Sequence, residues 1–143
     1  MSDLDRIALY FLEPYRRCFD FSGRSNRLEY FIYMFVLALV SFFTDISIDI
    51  NLPLSPQDSV VSSTFWIVLA LSSAFGIWLL IVGAALSVRR LHDTGNTGWW
   101  VLLSVVPLAN IGLILFLLFK AGDTQQNTYG AAVADFSRAA KAN

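Results

Sequence analysis

Val88-Arg89-Arg90-Leu91-His92-Asp93-Thr94-Gly95-Asn96-Thr97-Gly98-Trp99-Trp100 stands between the two longest uncharged runs of the chain. It holds two arginines, the only histidine, an aspartate, two glycines and two tryptophans. Upstream, residues 60–88 carry no charge, and as a helix they would be about 43 Å long at 1.5 Å per residue, so this span must tilt or protrude. Downstream, residues 99–119 are equally free of charge, the length of a third membrane crossing. Arg89–Gly98 therefore reads as the polar turn joining two spans at one water interface. Trp99 and Trp100 fix its depth there, since an indole has one apolar and one polar side.

Composition agrees. Hydrophobic residues make up 56% of the 143 and charged residues 15%, against about 25% charged in a soluble protein. A soluble core of this size could not hide so much apolar surface. The chain is expected to be one integral-membrane domain over residues 1–143. A single cysteine, Cys18, excludes an intrachain disulfide and leaves no metal-ligand pair. The first twenty residues have acidic positions, a proline and no compact apolar region, so no secretory signal is expected there.

Working outward, Leu4, Ile7, Ala8, Phe11, Leu12 and Tyr15 recur at helical spacing and predict an N-terminal amphipathic helix. Such a helix lies in the headgroup region or packs on the rest of the protein, and Pro14 should kink or end it. Gly23 marks a turn, and Ser25 or Asn26 is a plausible cap for the next helix. That helix, near 29–48, is the first span, with Glu29 and Asp45 at opposite water boundaries. From Asp45 to Ser59 the chain carries three aspartates and two prolines without one Lys or Arg, which reads as a loop outside the membrane. On the second span Ser72, Gly76, Gly83 and Ser87 fall within about 60° on a helical wheel, a face that lets another helix approach closely. Pro107 and Asn110 should disturb the third span. The remainder, 120–143, begins with a turn-rich segment and ends in a polar, Ala-rich tail.

Orientation follows from the basic residues. Arg16, Arg17, Arg24 and Arg27 precede the first span, Arg89 and Arg90 follow the second, and the first loop has none. The positive-inside rule predicts a cytoplasmic N-terminus and an outside 45–59 loop. Three spans would send the tail outside, while Lys120, Arg138 and Lys141 pull weakly the other way. A re-entrant hairpin broken near Pro107 would satisfy those charges, but 21 apolar residues fit one crossing better than two halves of ten.

Arg24, Arg27, Glu29, Arg89, Arg90, His92 and Asp93 then share one membrane face. Glu29 and Asp93 can each pair with an arginine, and arginines left over would meet an anion, since planar guanidinium groups suit bidentate phosphate or carboxylate contacts. One reading is a site for anionic lipid headgroups. The favoured reading is a positive-inside anchor with an ion-paired network holding helix ends together. His92 could titrate near neutral pH, though one histidine beside one aspartate is more often a hydrogen-bonded pair. No His-x-x-x-His, Cys-x-x-Cys, Walker or dinucleotide-binding pattern occurs. Asp93-Thr94-Gly95 is similar to the aspartic-protease triplet but lacks a second copy and a β-rich setting. No catalytic residue, metal or cofactor, no enzymatic activity and no nucleic-acid partner is expected.

Three blocks carry a family resemblance: Phe21-x-Gly23-Arg24-x-x-Arg27-x-Glu29-Tyr30-Phe31, the Arg89-Arg90-Leu91-His92-Asp93-Thr94-Gly95-x-x-Gly98-Trp99-Trp100 run followed by Pro107, and Gly122-x-x-x-x-Asn127-x-Tyr129-Gly130. Over residues 15–130 the chain resembles the domain-of-unknown-function 805 family of small bacterial inner-membrane proteins. It departs at Phe31, where the family often has Trp, and at Gln126, where it often has Gly. The resemblance implies a multi-pass inner-membrane protein and brings no activity, ligand or catalytic residue. Two function classes follow. The first is a structural or interaction protein that contacts membrane lipids and associates with itself or a membrane partner. The second is an oligomeric subunit of a small-solute or anion transporter or channel, disfavoured because no span has a charge at its centre.

Overall fold

The computed structural model describes residues 3–51 and 63–133, except for the side chains of 3–7, 9, 10 and 51. The loop residues Pro53, Pro56 and Asp58, the tail's Arg138 and Lys141, and the side chains of Leu4 and Ile7 lie outside that description. The elements in order are α1 (Asp3–Arg16), α2 (Arg27–Asn51), α3 (Ser63–Asp93), a 3-10 helix (Gly98–Val105) and α4 (Pro107–Phe119). Among the described residues there is no strand, only an isolated bridge between Asn127 and Gly130. The fold is all-α.

Asn26, not Ser25, caps α2: its Oδ1 accepts the backbone N–H of Glu29 at 2.8 Å, satisfying a donor the first turn would leave unpaired. No glycine or proline follows until Pro53, so the helix runs past its expected end. Asp45 and Asp49 are helical rather than part of a loop. Its 25 residues measure about 37 Å.

The 31-residue α3 also runs longer than expected and takes in the basic cluster. Arg89, Arg90, His92 and Asp93 belong to its last turns, and the connecting turn is only 94–97. Two bonds end the helix: Gly95 N–H donates to the His92 carbonyl at 3.1 Å and Asn96 N–H to that of Leu91 at 3.0 Å. This pairing needs a left-handed residue just past the end, and Gly95 sits there at φ 74°. The Asp-Thr-Gly triplet is a helix terminus.

The expected single helix over 99–119 is not what forms. Proline disfavours the helical conformation in the residue before it and lacks an N–H for the preceding turn. Val106 is accordingly extended (φ −96°, ψ 116°) and Pro107 becomes the first residue of α4. Ahead of the break the chain winds as eight residues of 3-10 helix, and behind it as 13 of α-helix. These two pack against each other.

The chain divides into two compact units, 1–34 with 81–143, and 35–80. The first contains the start of α2, the last 13 residues of α3, the 3-10 helix, α4 and the 120–133 segment. Its core is Tyr30, Tyr33, Val82, Ala85, Leu86, Leu91, Leu113 and Leu117. The second consists of the remaining parts of α2 and α3, and among its described side chains only Leu79 is buried.

Among the described residues two helices, α2 and α3, are long and apolar enough to cross a membrane. The core helix of a soluble protein meets the same length test but is mostly covered. Here only 6% and 11% of the two apolar windows are buried. Phe35, Leu39, Phe42, Phe43, Trp66, Ile67 and Leu71 stand open, an apolar surface far beyond what water tolerates. Hydrocarbon is the medium that fits it.

Candidate functional site

Three arginines form the centre of the first unit. Arg24, Arg89 and Arg90 are 6%, 0% and 0% exposed. A guanidinium cannot give up its proton, so burial demands an acceptor for each donor or a heavy desolvation cost.

Asp93 supplies the shared counter-charge. Its Oδ1 accepts Arg24 Nε at 2.9 Å and Nη2 at 2.8 Å, and its Oδ2 accepts Arg90 Nη1. The remaining donors go to backbone carbonyls. Arg24 Nη1 reaches Gln125 at 2.8 Å and Gly130 at 3.3 Å, and Nη2 reaches Asp123 at 2.6 Å. Arg90 Nε donates to Leu117 at 3.0 Å and Nη2 to Lys120. Those carbonyls close the C-terminal turn of α4, where the helix dipole favours a cation.

Arg89 does the same for α1. Its Nη1 donates to the carbonyls of Arg17, at 2.7 Å, and Asp20. Its Nε donates to Ser25 Oγ at 3.0 Å, while Ser25 N–H returns a bond to the Arg89 carbonyl at 3.2 Å. The buried Glu29 carboxylate is hydrogen-bonded by Ser25 and lies within electrostatic reach of Arg89. Consecutive arginines of one helix thus cap two other helices.

His92 is held on two sides. Its ring stacks on Tyr129 with centroids 3.9 Å apart and planes 3° from parallel. Its Nδ1 lies 3.2 Å from the Gly23 carbonyl, which only accepts, so Nδ1 carries the proton. Asn127 Nδ2 donates to the His92 carbonyl at 2.9 Å, and Asp123 N–H to that of Asp93 at 2.7 Å. Gly122 packs so closely on Asp93 that a Cβ there would overlap the carboxylate.

Of the residues expected to share a face, Arg24, Glu29, Arg89, Arg90, His92 and Asp93 come together, whereas Arg27 is exposed on the first turn of α2. Arg24 meets Asp93. The small-residue face divides. Gly83 takes the Tyr33 ring, with its hydroxyl only 2.5 Å from where a Cβ would stand, and Ser87 is hydrogen-bonded to Tyr30. Ser72 is half-buried, and at Gly76 no atom of the described residues, its own stretch of helix aside, stands within 4 Å of a Cβ position. Asp20, in the loop before α2, is held well below the usual carboxylate range by the Ser22 hydroxyl and by Arg17, whose Nη2 is 2.7 Å away.

Sequence reading assigned no role to Gly122, Asp123, Asn127 or Tyr129. Asp123 acts through its backbone N–H and carbonyl and Gly122 through the absence of a Cβ, which composition does not mark, while Asn127 and Tyr129 act through side chains. The one signal was the spacing Gly122-x-x-x-x-Asn127-x-Tyr129-Gly130.

Two uncovered apolar helices on an all-α framework define a small integral-membrane protein. The profile of the family described as "Protein of unknown function (DUF805)" matches residues 18–131, and the chain belongs to that family. It is similar to Inner membrane protein YhaI of Escherichia coli (strain K12), 30% identical over 123 residues that cover 85% of this chain and 92% of the relative. Inner membrane protein YhaH of the same strain is 27% identical over 123 residues, covering 85% and 93%. No solved structure matches.

Proposed function

We propose that this is a multi-pass inner-membrane protein with a structural or interaction role, in which the arginine cluster is an internal clasp and not a headgroup-binding or catalytic site. The observation that carries it is the Asp93 carboxylate buried between Arg24 and Arg90, with their other donors on carbonyls of residues 117–130. Guanidinium groups so engaged offer nothing to a phosphate unless the clasp opens. His92 and Asp93 are equally committed, which argues against their serving as a base or nucleophile.

The α2 and α3 helices cross the membrane with the clasp on the cytoplasmic side. All ten Lys and Arg residues lie outside 28–88, the asymmetry that sets orientation in bacterial membranes. The α1 helix lies along the cytoplasmic interface: Phe11 and Leu12 are exposed, while Tyr15 packs 6.4 Å from Tyr33. The family relatives named for the inner membrane support the location.

The test is lipid dependence. In nanodiscs of phosphatidylcholine, with or without one-third phosphatidylglycerol, the loss of thermal stability caused by Arg24→Gln should be the same. A stabilisation by phosphatidylglycerol that disappears in Arg24→Gln would show that the cluster reads headgroups, and the clasp reading would fall.

A further inference from the structure

We propose that residues 98–119 form a re-entrant hairpin, seated among the acyl chains of the cytoplasmic leaflet, which returns the tail to the side it left. The inference rests on the reading that α2 and α3 cross the bilayer.

Both ends of the segment are tied to the last turns of α3. At the start, Gly98 lies against Val88 and His92, with a Cβ position 2.8 Å from Val88 Cγ1 and 3.2 Å from His92 Nε2. At the finish, Arg90 holds the carbonyls of Leu117 and Lys120, and Asp123 N–H donates to the Asp93 carbonyl. A segment whose two ends meet the same helix terminus has not crossed to the other side.

Length gives the same result. Eight residues of 3-10 helix rise about 16 Å, and the 13 residues of α4 about 20 Å. Neither leg is long enough to cross a hydrocarbon core about 30 Å thick. The tip is Val105-Val106-Pro107-Leu108, with Val105 79% and Leu108 84% exposed. Such a tip belongs in hydrocarbon rather than water.

The objection to a chain reversal inside a membrane is its unpaired backbone. Here Val106 N–H donates to the Leu103 carbonyl at 3.1 Å, the Val106 carbonyl accepts Asn110 N–H at 2.8 Å, and Pro107 has no N–H to satisfy. The hairpin also places Lys120 with the other basic residues, where the positive-inside rule wants it.

The experiment uses the full chain in cells, with Cys18→Ser as background and Asp49→Cys, Thr97→Cys, Val105→Cys and Thr128→Cys introduced singly. A membrane-impermeant maleimide is applied to right-side-out and to inverted vesicles. Thr97→Cys and Thr128→Cys should label only in inverted vesicles, Asp49→Cys only in right-side-out ones, and Val105→Cys in neither. Labelling of Thr128→Cys from the Asp49 side, with Thr97→Cys opposite, means three crossings and overturns the hairpin. Labelling of Val105→Cys from the Asp49 side overturns it as well. Should Asp49→Cys and Thr97→Cys label from the same side, the two-crossing reading itself fails. A reporter fused to the C-terminus of the unsubstituted chain gives an independent readout: cytoplasmic activity is expected, and activity on the far side refutes the hairpin.

Discussion

Removing the Asp93 carboxylate should unfasten the clasp. The side chains of Arg24, Arg90 and Asp93 are 1%, 0% and 6% exposed, so their attraction is little screened by water or salt. Deleting one partner of a buried ion pair costs about 3–5 kcal/mol, because the other is left as an uncompensated buried charge. Asp93→Ala strands two guanidinium groups together, although each keeps its carbonyl partners, so about 3–5 kcal/mol stands for the whole change. At about 2–4 °C per kcal/mol for a chain of this length, the melting midpoint should fall by roughly 6–20 °C. Exposed Asp45, changed to Ala, should stay within about 0.5 kcal/mol.

The decisive measurement is the cycle with Arg24→Ala, read by thermal unfolding in a single detergent. Arg24→Ala alone takes a donor from the carbonyls of Asp123, Gln125 and Gly130 and one of its arginines from Asp93. The double variant strands Arg90 alone rather than two guanidinium groups together, so its loss should fall short of the sum by about 0.5–3 kcal/mol. Simple additivity, or a loss of under about 1 kcal/mol for Asp93→Ala, would refute the clasp and leave the cluster as a topology signal.

Gly122→Ala should cost about 1–3 kcal/mol by pushing on the Asp93 carboxylate, and most of that loss should vanish in an Asp93→Ala background, as paired melting curves would show. Asn26→Ala removes the acceptor that caps α2 and should cost about 0.5–2 kcal/mol, whereas Asn26→Ser should recover most of it. Asp20 titrates lower in the folded chain than in the unfolded one, so its stabilisation is complete above the ordinary carboxylate range and is lost as pH falls below it. Wild type should therefore lose slightly more stability than Asp20→Asn on acidification from about pH 5. The difference should stay under about 1 kcal/mol because Asp20 is partly exposed.

The membrane class was legible because it follows from one-dimensional information, namely where charges stop and for how long. That Asp93 would meet an arginine was legible for a similar reason, since a carboxylate at the edge of hydrocarbon needs a cation, although the sequence did not say which of Arg24 and Arg27 it would be. What escaped was the division of 98–119. An unbroken apolar run announces burial in lipid but not how often the chain reverses within it, and Pro107 alone does not distinguish a kink from a turn. The distinguishing facts are backbone ones, the extended Val106 and the carbonyls of Leu117 and Lys120 on Arg90. Helix ends were misjudged for a related reason. Asp45, Asp49, Arg89 and Arg90 look like loop markers by polarity, whereas α2 runs on to Asn51 and α3 to Asp93, where the left-handed Gly95 ends it.

The chemistry of the side chains separates a clasp from an orientation signal. Positive charge alone sets topology, and lysine serves that purpose as well as arginine. A lysine offers three donors from a single point, whereas a guanidinium projects five in a planar fork. Arg90 uses its fork to hold the Asp93 carboxylate and two carbonyls at the end of α4, three acceptors spread across its plane. Arg89 reaches Ser25 and the end of α1 in the same manner. In lipid, helices gain no hydrophobic drive to associate, because the tails are as apolar as leucine. Specific polar ties at the helix ends are then the available means of fixing one arrangement. Adjacent arginines on one helix can point to different neighbours, so the pair joins α1 and α4 to α3, while Arg24 draws in the loop before α2. The order of residues in Arg89-Arg90-Leu91-His92-Asp93 is thereby accounted for position by position: two forks, one buried leucine, one stacked ring and the carboxylate they close upon.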